Sequence, residues 1–591
     1  MAILVLPFEV EPGPPADIEQ LFESGLYKLL SEDMQAACHR TPQLLEYLNM
    51  LPIEETGVPE YHQEMDRKLG GTKRRNLVYP VSDQILIHVL STGEERDYYI
   101  PIEPTMGVDV RAVAELLEVR MVELAYLFED AETTEDRREV LHTILLKLCR
   151  VVDRPSAPPA SGQTAAKPNR GPFGLFGLFQ GSSKSKGQSI EVTQREFDAV
   201  EYLIARDKIG MGTLEPFVHD RWIEDISCSG LGPIFIEHKV FKSMRSALEF
   251  VDHDNLDEFV LRLSESIQRP VTLRNPIVDA TLADGSRINI VYGREVSQRG
   301  SNFTIRKFPG TPLSILELIG FGSLSYQMAA YISLILEAGM NVFICGETAS
   351  GKTTLINAVT TFVSPDAKIV SIEDTPEVMV PHPNWIREVS RTPLKTSDGP
   401  GVSMLDLLKA ALRQRPNLII IGEIRGEEGA IAFQAMQTGH AVMATFHAAS
   451  VEKLIQRLTG NPIYVPKTYI ENLNVAIIQS LVKLPNGSSG RRAMTIAEIV
   501  GYDPPSDTFS FVEVFRWNQI TDEFEFPGNK NSYLLEERIA PMKGFPPNKR
   551  QGIYAVLEKR AKVLRKLQEK GISGYYELLR VLSRAQQEGI F

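Results

Sequence analysis

The residues in this chain best suited to chemistry lie in one stretch, GETASGKTT, Gly346 to Thr354. It satisfies the pattern G-x-x-x-x-G-K-[ST], a loop whose glycines let successive backbone N–H groups curl around phosphate oxygens. Lys352 is placed to reach the β- and γ-phosphates, and the Thr353 hydroxyl to ligate magnesium. The nucleotide grip is therefore expected from Gly346, Thr348, Ser350, Gly351, Lys352, Thr353 and Thr354. Three later stretches carry further candidates. SIEDTPE places Glu373 and Asp374 after the apolar run Ile369 to Ile372. A carboxylate there can orient water for attack on a γ-phosphate or hold magnesium through water; otherwise it only caps the next turn. NLIIIGEIRG ends a second apolar run in Gly422-Glu423, and TGHAVMATFHA brackets a third with His440 and His447. His447 is suited to sensing the γ-phosphate or the attacking water, although a solitary histidine is more often structural.

These groups act together only if one scaffold aligns them. MNVFICG reads as a buried strand and TTLINAVTTFV as a helix, so the loop lies between strand and helix with the helix dipole favouring an anion. The alternation of strand and helix signals from about 323 to 480 is that of a parallel α/β sheet, in which ligands gather at the carboxyl ends of strands. The expected fold class is α/β and multidomain.

The chain has 591 residues, a net charge of −13, 43% hydrophobic and 24% charged residues. That composition is ordinary for a globular protein and speaks against a coat for nucleic acid. The four cysteines are scattered with no C-x-x-C pair, so no zinc or disulfide framework is expected, and a reducing, cytoplasmic setting fits. No run is apolar for the ~20 residues that a spanning helix needs. Expected boundaries are an accessory α+β docking domain at 1–153, a Pro/Gly/Ser-rich linker at 154–189, a second α+β domain at 190–310, a connector at 311–325 and a motor domain at 326–591. Within the linker, GPFGLFGLF sets Phe173, Phe176 and Phe179 three apart, either to pack on a neighbouring domain or to dock on a partner or membrane. KRQGIYAVLEKRAKVLRKLQEK is a basic helix, read as a solvated face or a nucleic-acid contact.

Taken in order, GETASGKTT, SIEDTPE, NLIIIGEIRG and TGHAVMATFHA resemble the Walker A, Asp-box, Walker B and His-box motifs of the type II/type IV secretion ATPase superfamily (GspE-like). RWIEDISCSGLGPIFIEH, DATLADGSRINIVYG and SNFTIRKF resemble that family's N-terminal domain. With the tail RRAMTIAEIV they point to its archaeal pilus and archaellum branch. The resemblance implies a RecA-like motor, ATP and Mg2+ as ligands, a homohexameric ring, and a cytoplasmic location at the membrane against a polytopic inner-membrane platform protein. It implies Glu373 as general base, Glu423 as the Walker B acid sharing magnesium with Thr353, and a catalytic role for Lys352 and His447. Arg413 would approach the γ-phosphate at a subunit interface, and Arg287 and Arg306 would reach nucleotide from the N-terminal domain. A DNA-translocating conjugative ATPase and a nucleotide-binding scaffold with little turnover are the competing readings.

Overall fold

The computed structural model describes residues 2–10, 18–153, 189–282, 284–308, 310–391, 401–485, 487–589 and 591. Two compact units divide the chain, Met1–Phe308 and Pro309–Phe591. The GPFGLFGLF tract lies outside the described residues.

The first unit is built on an 11-stranded sheet. Segments 1–153 and 190–310 both contribute strands to it. Ile223–Cys228, Gly232–His238 and Lys242–Phe250 form an antiparallel meander, and Lys242–Phe250 pairs in parallel with Tyr98–Ile102 from the early part of the chain. Asp220 ties the two parts together. Its buried carboxylate accepts hydrogen bonds from Tyr79 Oη at 2.6 Å and Tyr99 Oη at 3.0 Å. Burial raises the Asp220 pKa and lowers that of Lys307 to about 8, whose Nζ donates to the carbonyls of Phe217, Val218 and Asp220. On the helical side, Arg195 reaches Glu46 at 2.7 Å. Cys149–Val151 and Ile190–Val192 pair in parallel.

The second unit has a nine-stranded sheet. Its spatial order is Trp385–Val389, Ile369–Glu373, Leu418–Ile424, Ala441–Phe446, Val342–Cys345, Val475–Lys483, then Ser489–Asp503, Thr508–Asn518 and Glu523–Glu525. The first six strands are parallel, and the last three extend the sheet antiparallel. Strands covered on both faces carry near-continuous apolar runs, as Val342–Cys345 does with all four residues buried. One face packs on the helices Tyr326–Glu337, Lys352–Val359, Ile553–Glu569 and Tyr575–Gln587, and the other on Met404–Arg413, Glu428–Gln437 and Val451–Thr459. Segment 311–325 is helical over Ile315–Gly320, with Ile315, Leu316 and Leu318 in that core. The Walker B-like strand continues through Gly422 and Glu423 to Ile424, and the following helix begins at Glu428. Among the described residues no helix is long and apolar enough to cross a membrane.

Candidate active site

Parallel register brings the four motifs to one end of the second sheet. Cys345 is opposite Phe446 and Ile478, Ile372 is opposite Ile421, and Ile421 is opposite Ala444. The residues that follow, Gly346, Glu373, Gly422-Glu423, His447 and Gln479, therefore share the carboxyl edge, where an open parallel sheet places its ligands.

The loop has the backbone of an anion cradle. Gly351 is left-handed at φ +93°, and Ala349, which has a Cβ, is held at φ +61°. A Cβ on Gly346 would meet the Gln479 carbonyl oxygen at 2.2 Å and Ser350 Oγ at 2.5 Å, so only glycine fits. Ser350 is 1% exposed, and among the described residues its hydroxyl has no hydrogen-bond partner. Lys352 Nζ folds onto the carbonyls of Gly346 at 3.0 Å and Glu347 at 2.9 Å, within the loop where phosphates would sit. Burial lowers the Lys352 pKa, opposed by nearby Glu423, Cys345 and Glu377. Thr348 and Thr354 lie in the loop and the first helical turn.

Glu373 is 1% exposed. Its Oε1 accepts from Glu377 N at 2.8 Å and Val378 N at 2.6 Å, and its Oε2 lies 3.5 Å from Arg387 Nε. Asn357 of the loop helix fixes the same turn, donating to Glu377 O and accepting from Met379 N. Burial pushes the Glu373 pKa up to about 7, against the pull of the two N–H donors and Arg387. A carboxylate so held and so tuned is equipped to take a proton near neutral pH. The glycine at 422 has a reason in this geometry. A Cβ there would stand 3.1 Å from Glu373 Cγ, so an aspartate in its place would push Glu373 aside.

Glu423 faces Arg425, with Arg425 Nη2 at 2.5 Å, and Arg425 also lies 3.7 Å from Asp374. Thr353 Oγ1 donates to Glu377 Oε2 at 3.2 Å. The residues present suit a magnesium ion: a threonine hydroxyl with Glu377 beside it and Glu423 one strand over are hard oxygen ligands of the kind magnesium takes with water and phosphate. Among the described residues no group of three or more His, Cys, Asp or Glu is clustered for a metal.

His447 is exposed just past the strand end, its carbonyl accepting from Arg457 Nη1. His440 precedes the same strand at its amino end, six residues from the phosphate edge, and contacts Thr438 Oγ1 at 3.1 Å. The structure thus separates the two histidines. Arg413 ends the helix that precedes the Glu423 strand and is exposed at the amino edge of the sheet, away from the loop of its own chain. Arg287 and Arg306 belong to the first unit. They are directly opposed across two strands, and with Asp279, Asn289 and Thr304 they line a shallow 240 Å³ depression, where Arg287 is 2.9 Å from Asp279.

Four residues enter the site through this geometry without being candidates in the sequence. Glu377 and Arg425 sit within the motifs, four after Glu373 and two after Glu423, and that spacing is the available signal. Arg387 and Gln479 come from neighbouring strands and have no local signature.

Comparison with known proteins gives the family of the chain. The family described as T2SSE, Type II/IV secretion system protein, matches residues 207–506, about half of the chain. The uncharacterized protein MJ0900 of Methanocaldococcus jannaschii is 41% identical over 564 residues, 95% of this chain and 98% of that one. The type IV secretion system protein PtlH of Bordetella pertussis is 30% identical over 270 residues, 42% of this chain and 78% of PtlH. The crystal structure of the pilus retraction motor PilT with bound ADP aligns with a TM-score of 0.34 at 18% identity, over 61% of this chain and 89% of that one. With the family matched over about half of its length and a relative similar nearly end to end, this chain belongs to the type II/IV secretion ATPase superfamily.

Proposed function

We propose that this chain is an ATPase that binds ATP with Mg2+ and uses hydrolysis to drive assembly of a pilus-like filament or export of protein at the cytoplasmic face of a membrane. The observation that carries the proposal is Glu373, a buried carboxylate with a pKa near 7, set at the same sheet edge as an intact phosphate loop. A scaffold that only binds nucleotide has no use for such a base.

In this mechanism the N–H groups from Gly346 to Thr354 and the Lys352 ammonium hold the β- and γ-phosphates and offset the charge that builds on them. Glu373 orients the attacking water and accepts its proton on Oε2, while Oε1 stays fixed by two backbone donors. Thr353 and Glu423 would hold magnesium, which when bound neutralises phosphate charge. His447, exposed one strand from Glu423, would report the state of the γ-phosphate. Arg413 faces away from its own loop, which suits a role across a subunit boundary in a homohexamer. Arg287 and Arg306 would contribute from the first unit. MJ0900, the near full-length relative, is from Methanocaldococcus jannaschii and favours the archaeal branch. A polytopic membrane platform protein is the expected partner.

Steady-state phosphate release by wild type, Lys352→Ala and Glu373→Gln tests the reading. Both variants should lose nearly all turnover, and undiminished hydrolysis in both would overturn it. A DNA-translocating role is the second reading, favoured by Lys559, Lys562 and Lys566, which are exposed along one face of the Ile553–Glu569 helix. Salt-sensitive stimulation of hydrolysis by DNA would select it.

A further inference from the structure

Arg491 lies outside all four motifs. It stands on the first antiparallel strand, Ser489–Asp503, two positions across the sheet from the strand that feeds the phosphate loop. Its Nε nevertheless donates to the carbonyl of Ala349 at 2.9 Å, across 142 residues of sequence. Ala349 is the loop residue held in the left-handed region. A methyl built on Gly351 would lie 3.1 Å from Arg491 Cδ and 3.7 Å from its Nε, so the side chain runs along the loop at the start of the Lys352 helix. The residue is exposed, and among the described residues its two Nη groups make no hydrogen bond or ion pair. Two buried polar groups beside it also have no hydrogen-bond partner among the described residues: Ser350 Oγ, 1% exposed, and Gln479 Oε1, 2% exposed. A guanidinium presents its donors in a planar fork suited to phosphate, and one nitrogen committed to a carbonyl orients the others.

We propose that Arg491 is a nucleotide-binding residue: its Nε props the phosphate loop at Ala349, and its Nη groups bind phosphate oxygens common to ATP and ADP. This rests on the ATPase reading above and deepens it. Because the contact is with phosphates that both nucleotides carry, its loss weakens both equally.

The experiment measures dissociation constants of fluorescent mant-ATP and mant-ADP for the full chain as wild type, Arg491→Ala, Arg491→Gln and Arg491→Lys, with Lys352→Ala as the reference for a lost grip. Arg491→Ala should raise both constants about 10- to 100-fold, the range for hydrogen bonds to a charged group. Arg491→Gln keeps an N–H for the Ala349 carbonyl without the charge, and should lose as much as alanine. Arg491→Lys should recover part of the loss. Unchanged affinity in Arg491→Ala, wild-type affinity in Arg491→Gln, or a loss confined to mant-ATP would each overturn the proposal, the second by making the residue only a prop for the loop. If the wild type itself binds neither probe, the ATPase reading fails before the variants are compared. Thermal melts without nucleotide establish that each variant is folded.

Discussion

Replacing Glu373 with glutamine separates its catalytic role from its cost to the fold. In the structure the carboxyl titrates near pH 7, against 4.5 for an ordinary glutamate, because burial outweighs its donors. At about 1.4 kcal/mol per pH unit, ionising it in the fold costs about 3 kcal/mol more than in the unfolded chain. The folded state therefore binds the extra proton between pH 4.5 and 7. The contribution of Glu373 to stability is highest below that window, falls as pH rises through it, and levels off above it. Glu373→Gln mimics the protonated acid and keeps an Oε1 acceptor for Glu377 N and Val378 N. At pH 5 the two proteins should unfold at similar denaturant concentrations, and at pH 8 the variant should be more stable by up to about 3 kcal/mol. Turnover should move the other way. Loss of a general base lowers kcat by about 10²–10⁴, and the acidic limb of the wild-type rate profile, centred near pH 7, should vanish in the variant. Urea melts at both pH values and phosphate release from pH 5.5 to 9 supply the data. An acidic limb that persists in Glu373→Gln, or a stability difference that ignores pH, would refute the assignment.

Three further outcomes are expected. Gly422→Asp places a side chain where even a Cβ comes within 3.1 Å of Glu373 Cγ; it should cost about 1–3 kcal/mol in a melt and lower turnover about 10²-fold by displacing the base. Thr353→Ala should raise the Mg2+ concentration needed for half-maximal mant-ATP binding roughly tenfold or more, read by titration. Asp220→Ala removes the carboxylate that accepts from two buried tyrosine hydroxyls, leaving Tyr79 Oη with His238 Nε2 and Tyr99 Oη with the Pro216 carbonyl, each at 3.3 Å, and takes away the charge that supports the Lys307 ammonium; denaturant unfolding should show a loss of about 2–5 kcal/mol, with nucleotide binding by the second unit retained.

The active-site motifs were legible because each is local. The glycines at 346 and 351, Lys352 and Thr353 must be close in sequence to form one loop, and Glu373, Glu423 and His447 each follow a short, β-branched or apolar run of the length of a buried strand. The first 150 residues carried no such signal. Of their strands, Leu86–Leu90 and Tyr98–Ile102 are readable in QILIHVLSTG and DYYIPI, whereas Asn76–Pro80 and the continuation into the sheet of residues 223–306 are not. That junction depends on a parallel pairing between Tyr99 and Ser246 and on a buried carboxylate at 220, partners far apart in sequence. The helix Ile315–Gly320 lies in the segment expected to be a connector, and its burial comes from packing on the Lys352–Val359 helix and from chain more than 200 residues downstream, where Gln568 Nε2 donates to the Leu316 carbonyl.

What the sequence by itself determined is the chemistry on offer: a phosphate loop, three strand-end groups and the order in which they occur, since backbone conformation and strand polarity follow from neighbouring residue types. What only the tertiary structure decided is how those groups are tuned and which others join them. Burial, not residue type, carries Glu373 to a pKa near 7, and packing against its Cγ explains the glycine at 422. The antiparallel strands beyond Val475–Lys483 bring Arg491 to Ala349 from 142 residues away. Such proximity is a property of sheet order and register, which no local run of side chains encodes.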